Sequence, residues 1–121
     1  MTEMASAPEE IRVTRDRRTL VVGWADHRSE SYPAEMLRVL SPSAEVQGHS
    51  PDQRVTVAGK KDVAIVDVVP VGNYAVRIVF DDGHSTGLYT WRYLVELADE
   101  GEERWQAYLD ELAQKRLRRE P

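Results

Sequence analysis

The sequence contains no cysteine. This absence excludes disulfides, thiolate nucleophiles, cysteine-ligated zinc and iron–sulfur clusters held by the chain's own thiols. No stretch reaches the roughly 18 consecutive apolar residues that a membrane-spanning helix needs. The first ten residues carry three glutamates and no basic residue, so they do not resemble a secretory signal. We therefore expect a cytoplasmic protein without thiol chemistry.

Residue patterns that would indicate catalysis are also missing. The histidines His27, His49 and His84 have none of the spacings typical of zinc proteases or of non-haem iron sites. No glycine-rich phosphate loop occurs, and no G-x-S-x-G nucleophile motif. The paired carboxylates of Asp81 and Asp82 precede a glycine, which is typical of a tight turn. We expect no catalytic residue.

Size and charge favour one soluble domain. The chain has 121 residues, of which 41% are hydrophobic and 31% charged, and this is enough to bury a core without disulfides or metal. The formal net charge is −5. A negative field opposes nucleic acid and anionic membranes, so neither is an expected partner.

Hydrophobic alternation with a period of two predicts several short strands. They are expected around residues 11–13, 20–24, 55–57, 63–69, 74–80 and 84–89. Asp81-Asp82-Gly83 favours a tight hairpin turn between the last two strands. The sequence thus predicts a small antiparallel or mixed β-sheet built from hairpins.

Helical spacing appears in the middle of the chain and at its end. A brief extended piece at Glu30 and Ser31 is expected as the third strand in chain order, and a short helix predicted over residues 32–40 follows it and is stopped by Pro42. From the N-cap Thr90 onward, Gly101 is expected to divide the remaining chain into two helices that end near Arg118. The expected fold class is α+β, with residues 1–10 as a disordered lead-in and 11–118 as a single domain.

Residues 41–54 show no periodicity and form a long loop for a small domain. Loops of this length are often functional, although an ordinary surface connection is an equal alternative. Ser41, Ser43 and Ser50 share the loop with His49, which leaves a serine nucleophile open. Serines that cap turns beside a proline are the favoured explanation.

Two segments, residues 32–49 and 73–91, carry a resemblance to a known family. The matching motifs are Tyr32-Pro33 through Leu37-Arg38, Ser41-Pro42-Ser43, Asn73-Tyr74-Ala75-Val76, and Asp82-Gly83-His84 through Trp91. In their order and spacing the sequence resembles the gamma-butyrobetaine hydroxylase N-terminal-like domain, a domain of unknown function. The resemblance covers most of residues 11–98.

The resemblance implies a small α+β domain that occurs in three contexts. In carnitine-pathway dioxygenases it precedes a jelly-roll barrel that holds iron and 2-oxoglutarate. It also occurs as a short stand-alone bacterial protein and attached to Mrp-like iron–sulfur carrier ATPases. Because 121 residues leave no room for the barrel beside this domain, we do not expect the dioxygenase activity here.

In the hydroxylase version, the resemblance implies a structural zinc held by a Cys-Pro-Cys-x-x-Cys motif and a histidine. Those positions correspond here to Ser41, Ser43, Val46 and His84. Serine hydroxyls are poor zinc ligands and valine has no donor atom, so a degenerate site without metal is expected. Weak metal binding through His84 stays open. We expect the loop 41–50 to pack near His84 through hydrogen bonds instead.

These observations favour a non-catalytic binding or adaptor domain that serves a protein partner, which the resemblance implies to be an iron–sulfur carrier or an oxygenase. The candidate binding surface comprises Arg38, Ser41, Ser43, Glu45, Gln47, His49, His84 and Trp91. An alternative is an accessory role in iron–sulfur or metal handling, docking to an Mrp-like carrier ATPase. A small enzyme and a self-associating domain are further alternatives.

Overall fold

The protein has the predicted α+β architecture. The structure, a computed structural model, describes residues 6–26, 28–48 and 50–121. The strands are β1 (Glu10–Val13), β2 (Thr19–Gly23), β3 (Ser29–Pro33), β4 (Ile65–Val71), β5 (Ala75–Phe80) and β6 (Leu88–Thr90). The helices are α1 (Ala34–Val39), α2 (Ala44–Gln47) and α3 (Trp91–Lys115), with a 3₁₀ turn at Pro51–Gln53.

The strands form two antiparallel three-stranded sheets, ordered β1-β2-β3 and β4-β5-β6. In the first sheet, Leu20 lies opposite Val13 on one side and Tyr32 on the other. The sheets approach each other where the β1–β2 turn meets β4, because the Ile65 N–H donates to the Arg17 carbonyl at 2.7 Å. The buried faces of both sheets, α1 and α3 enclose one hydrophobic core.

The prediction of two C-terminal helices is wrong, because α3 runs without interruption through Gly101. Thr90 caps its start as predicted, since its hydroxyl accepts from the Tyr93 N–H at 3.0 Å. A Cβ at position 101 would lie 2.9 Å from the Met36 side chain. The glycine therefore permits close approach of α3 and α1 rather than ending the helix.

The strand predicted around 55–57 is also wrong. The segment runs along α3, where side chains bind its polar groups in place of a neighbouring strand. The Tyr108 hydroxyl donates to the Val57 carbonyl at 2.6 Å, and the Thr56 hydroxyl donates to Glu111 at 2.9 Å. Alternating valines therefore do not indicate strand pairing here.

The returning strand of the second hairpin is shorter than predicted. Strand β6 begins at Leu88, not at His84. The intervening residues turn toward the loop that follows α1, where their side chains form the contacts described below. The tip of the β5–β6 hairpin therefore faces the loop that follows α1.

Tyrosine hydroxyls fix the short helix α1 at its C-terminal end. The last carbonyls of a helix have no partner within the helix. The Tyr89 hydroxyl donates to the Leu37 carbonyl, and the Tyr93 hydroxyl donates to the Leu40 carbonyl. Because Tyr89 belongs to β6 and Tyr93 to α3, these two elements hold the end of α1 at a defined position.

None of the helices in the described part of the chain has the length and apolar character needed to span a membrane.

Candidate functional site at the loop–hairpin junction

The loop after α1 turns sharply and begins a second short helix. Pro42 follows the last residues of α1, and Ser43 caps α2, because its hydroxyl accepts from the Glu45 N–H at 3.1 Å. Gly48 ends α2 with a φ of 68°. A serine N-cap and a glycine at the helix end are the residues favoured at these positions. The result is a compact loop whose two serines face inward.

The hairpin tip orients His84 toward this loop. The Asp82 carboxylate accepts from the His84 N–H at 3.0 Å, and the His84 carbonyl accepts from the Phe80 N–H at 2.9 Å. Both bonds lie within the turn predicted at Asp81-Asp82-Gly83. They fix the backbone from which the imidazole points.

Ser41, His84 and Glu45 form a continuous hydrogen-bonded chain. Ser41 Oγ lies 2.9 Å from His84 Nε2, and His84 Nδ1 lies 3.1 Å from Glu45 Oε1. The Ser43 N–H also donates to Ser41 Oγ at 3.2 Å. We assign the neutral tautomer in which Ser41 donates to Nε2 and Nδ1–H donates to the carboxylate, since this satisfies all three groups.

Thr86 closes the network into a ring. Its hydroxyl lies 2.7 Å from Ser43 Oγ and donates to Glu45 Oε1 at 3.1 Å. Because Glu45 is acceptor-only when ionised, Ser43 donates to Thr86 in this arrangement. The loop and the hairpin are thereby joined at two hydroxyl positions.

Gly87 encloses Ser41 from the hairpin side. A Cβ at position 87 would lie 2.5 Å from Ser41 Oγ and 3.1 Å from the ring of Tyr89. Ser41 itself is 0% exposed. Only a glycine leaves room for the buried hydroxyl.

The order serine, histidine, carboxylate is that of a hydrolase triad, but the geometry is that of a closed structural contact. A nucleophilic hydroxyl must reach a substrate carbonyl. Ser41 Oγ is buried and already accepts from the Ser43 N–H. Its hydroxyl becomes accessible only if the loop separates from the hairpin. We conclude that the arrangement holds the loop.

A group of charged side chains lies beside His84. Arg38 Nε donates to Asp82 Oδ2 at 2.7 Å, and Lys60 Nζ lies 2.6 Å from the same oxygen. Burial opposes ionisation of Asp82, but Lys60, the His84 N–H and Arg38 together hold the pKa of this carboxyl below its usual range. The carboxylate therefore stays charged and links α1, the segment before β4 and the hairpin tip.

Stability should decline as the pH falls below about 6.5. Burial, aided by the nearby Arg38 guanidinium, lowers the pKa of His84 from 6.5, although Glu45 and Asp82 oppose the shift. The unfolded chain then binds more protons than the folded protein between the folded-state pKa and 6.5. The stabilisation is complete above this window and is lost as the pH falls through it. Urea denaturation at about pH 7.5 and about pH 5.5 measures the decline.

The matched control for this pH dependence is His84→Gln, which removes the titrating ring and keeps a polar side chain. Its unfolding free energy should change less between the two pH values than that of the wild type. Equal changes in both proteins would assign the decline to other groups.

The remaining residues singled out by sequence, which were assigned to the binding surface, to the degenerate metal site or to a turn, lie in different environments. The Gln47 amide donates to the Ser41 carbonyl at 2.8 Å, and Val46 is buried. Trp91 belongs to the core at the start of α3, where its Nε1–H donates to the Asn73 carbonyl at 2.8 Å. His27 and His49 lie outside the described residues.

The expected proximity of the loop to His84 is confirmed by the Ser41–His84 contact. Thr86, Gly87 and Lys60 are not among the predicted site residues. Thr86 and Gly87 lie two and three residues after His84, inside the segment predicted as a strand. Lys60 lies between two predicted strands, where no pattern indicates a contact with Asp82.

Comparison with known proteins identifies the family. The family model described as gamma-butyrobetaine hydroxylase-like, N-terminal, matches residues 11–95. The chain belongs to this family. Among curated proteins, none matches it.

Three solved structures similar to this member of the gamma-butyrobetaine hydroxylase-like N-terminal family match 80% or more of the chain. Two solution NMR structures share 45% and 42% sequence identity with it, each with a TM-score of 0.81. They match 96% and 100% of this chain and 91% and 92% of their own. A crystal structure from Acidithiobacillus ferrooxidans, of a DUF971 family protein of unknown function, shares 40% identity. It matches 80% of this chain and 98% of its own, with a TM-score of 0.64.

Proposed function

We propose that this chain is a non-catalytic protein-binding domain, and that the loop–hairpin junction is the rigid support of its docking surface. The observation that carries the proposal is the burial of Ser41 within a closed hydrogen-bond network. A buried, satisfied hydroxyl holds structure and offers no nucleophile. Preorganisation of a loop lowers the entropy cost of binding a partner.

The outer rim of the junction supplies the contact surface in this proposal. Ala44 and Thr86 are exposed, and the Glu45 side chain is 64% exposed although one of its oxygens binds His84. Ser41, Ser43 and His84 support this rim from below. The partner class to test first is the one that the family resemblance implies, an iron–sulfur carrier or an oxygenase.

We expect the junction to hold no resident metal. In the assigned tautomer, His84 Nε2 accepts from Ser41 and Nδ1–H donates to Glu45. Neither ring nitrogen has a free lone pair, so a metal would have to displace Ser41 or force the other tautomer. The hydroxyls offered in exchange bind zinc far more weakly than thiolates.

The proposal predicts capture of a protein partner through the rim. The full chain, purified without chelator, is mixed with a candidate iron–sulfur carrier or oxygenase and examined by native mass spectrometry. We expect a complex of defined stoichiometry and a mass without metal. Ala44→Arg, which adds a large cation at the rim outside the hydrogen-bond network, should reduce the complex at least about tenfold, a loss of about 1.4 kcal/mol in binding free energy.

Gln114→Arg is the matched control, since it adds the same side chain at an exposed position of α3. This control should bind as the wild type does. Equal binding by Ala44→Arg and the wild type would contradict a docking surface at the rim, and metal bound in a His84-dependent manner would favour the metal-handling alternative.

A further inference from the structure

A groove separates β3 and the start of α1 from the middle of α3. Its volume is about 450 Å³. The residues that line it include Glu30, Ser31, Glu35, Glu102, Trp105 and Arg119. None of them belongs to the loop–hairpin junction.

Glu35 is a buried carboxylate at one end of this groove, and it is 7% exposed. Arg119 from the C-terminal tail binds both of its oxygens, at 2.8 and 2.7 Å. The same guanidinium lies over the ring of Trp105, 5.4 Å from its centre. A fork of two parallel hydrogen bonds together with an aromatic platform is the arrangement that selects arginine over lysine.

The segment that supplies Arg119 is an exposed tail beyond α3. The helix ends at Lys115, and the following residue, Arg116, caps it in a left-handed backbone conformation. Besides the contacts of Arg119, two backbone hydrogen bonds join the tail to the body, from the Gly59 N–H to the Arg118 carbonyl and from the Lys61 N–H to the Arg119 carbonyl. An exposed ion pair between Lys61 and Glu120 adds to them. Because most of its residues are exposed and it packs through few contacts, such a segment opens at a lower free-energy cost than the core. Another chain can therefore compete for its place.

The outer edge of β3 runs along the same groove. Backbone bonds from Trp24 to the Arg28 carbonyl and from Ala34 to the Arg18 carbonyl continue the β2–β3 ladder at both ends. Along an antiparallel ladder, hydrogen-bonded pairs alternate with pairs that are not hydrogen-bonded. The backbone groups of the even-numbered residues of β3 therefore bond to β2, whereas the N–H and C=O of Ser31 point away from it. Within the described part of the chain, these two groups have no backbone partner. Such an edge accepts an added strand.

The groove also has a charge imbalance. Three carboxylates, those of Glu30, Glu35 and Glu102, line it against the single guanidinium of Arg119. Arg28 pairs with Glu30 at 3.2 Å but is not part of the lining. Glu30 and Glu35 thus each have an arginine partner, and displacement of Arg119 would leave three carboxylates in the lining, complementary to a cationic occupant.

We infer that this groove docks an extended, arginine-bearing peptide segment of a partner protein. The main chain of the segment adds to the edge of β3 at Ser31, and its guanidinium replaces that of Arg119 on Glu35 and Trp105. The tail of the chain is then an internal competitor that covers the site when no partner is bound. The inference rests on the proposed protein-binding function, and it adds a second surface to it.

The test uses the full chain and a synthetic peptide, acetyl-Thr-Val-Arg-Val-Thr-amide, with matched peptides that carry lysine or norleucine in place of arginine. Titration calorimetry and tryptophan fluorescence report binding. Arg119→Ala, which removes the internal guanidinium, should bind the arginine peptide at least about tenfold more tightly than the wild type. The lysine peptide should bind about tenfold more weakly than the arginine peptide, and the norleucine peptide should not bind detectably.

Two further variants locate the peptide. Ser31→Pro removes the outward N–H of the strand edge and should weaken binding about tenfold, whereas Ser31→Ala should not. Glu35→Gln combined with Arg119→Ala should abolish the preference for arginine over lysine. If Arg119→Ala does not fold, the same peptides and the Ser31 pair are compared on the wild-type tail.

Equal affinity for the arginine and lysine peptides, or binding unaffected by both Ser31→Pro and loss of Glu35, would overturn the inference. Absence of arginine-peptide binding to both the wild type and a folded Arg119→Ala variant would also overturn it. Either result leaves partner capture at the Ala44 rim unchanged, since the groove and the rim share no residue. Failure of the Ala44→Arg test would in turn leave peptide binding measurable.

Discussion

Replacing Gly48 with alanine should lower the free energy of unfolding by about 3 kcal/mol. Gly48 has a φ of 68°, and a Cβ there would lie 2.6 Å from Gln53 Cβ and 2.7 Å from the Gln53 backbone oxygen. The strained backbone costs about 1 to 2 kcal/mol, and the clash adds about 1 to 3 kcal/mol because backbone cannot rotate away. Urea denaturation measures the loss.

Gly83→Ala is the matched control. Gly83 also has a positive φ, of 91°, but no atom lies within 4 Å of the position of its added Cβ. This variant should lose only the strain, about 1 kcal/mol. Equal losses in the two variants would show that the loop at Gly48 yields to the clash, and that it is less rigid than the proposed docking support requires.

Much of the fold could be predicted because local patterns and packing agree. The alternation of Val76, Ile78 and Phe80 marks the central strand β5, and the turn at Asp82-Gly83 follows it. The errors arose where tertiary contacts override local preference. Gly101 stays helical since Met36 fills the space beside it, and the segment around Val57 is bound by Tyr108 instead of a strand. Neither contact has a signature at short sequence separation.

The candidate site could be predicted from the sequence only in part, because some of its contacts depend on tertiary structure. The approach of Ser41 to His84 followed from the family's motif spacing, which brings the loop and the hairpin together. The role of Thr86 depends on the chain leaving the strand before Leu88. That departure is decided by side-chain contacts across the junction, so no periodicity within the hairpin could indicate it.

The junction is held by several individually weak interactions. A typical hydrogen bond contributes about 1 kcal/mol. A buried polar group that loses its partner costs more free energy of folding than one hydrogen bond contributes. The stability of the junction therefore depends on every group in the network keeping its partner. The tyrosine hydroxyls at the end of α1 supply further fixation from the opposite side.

Ser41→Ala should lower the free energy of unfolding by about 3 kcal/mol, although it removes a single oxygen. The hydroxyl serves two partners, the His84 Nε2 atom and the Ser43 N–H. Both lie in the buried junction, and each unsatisfied group costs about 1 to 3 kcal/mol. Urea denaturation at a pH above 6.5, where the stabilisation by neutral His84 is complete, measures the change. Ser85→Ala, on the same hairpin but outside the network, should change stability by less than about 0.5 kcal/mol.

A double-mutant cycle separates the Ser41–His84 contact from loss of packing. If the two side chains act as a unit, Ser41→Ala combined with His84→Ala should cost less than the sum of the single losses, by about 1 to 2 kcal/mol. The reason is that the double variant removes both members of the buried pair and leaves neither unsatisfied. A sum that is additive within about 0.3 kcal/mol would mean that the hydroxyl and the imidazole are independent. The loop would then be held by shape rather than by hydrogen bonds, and the closed network would lose its role as the support of the rim.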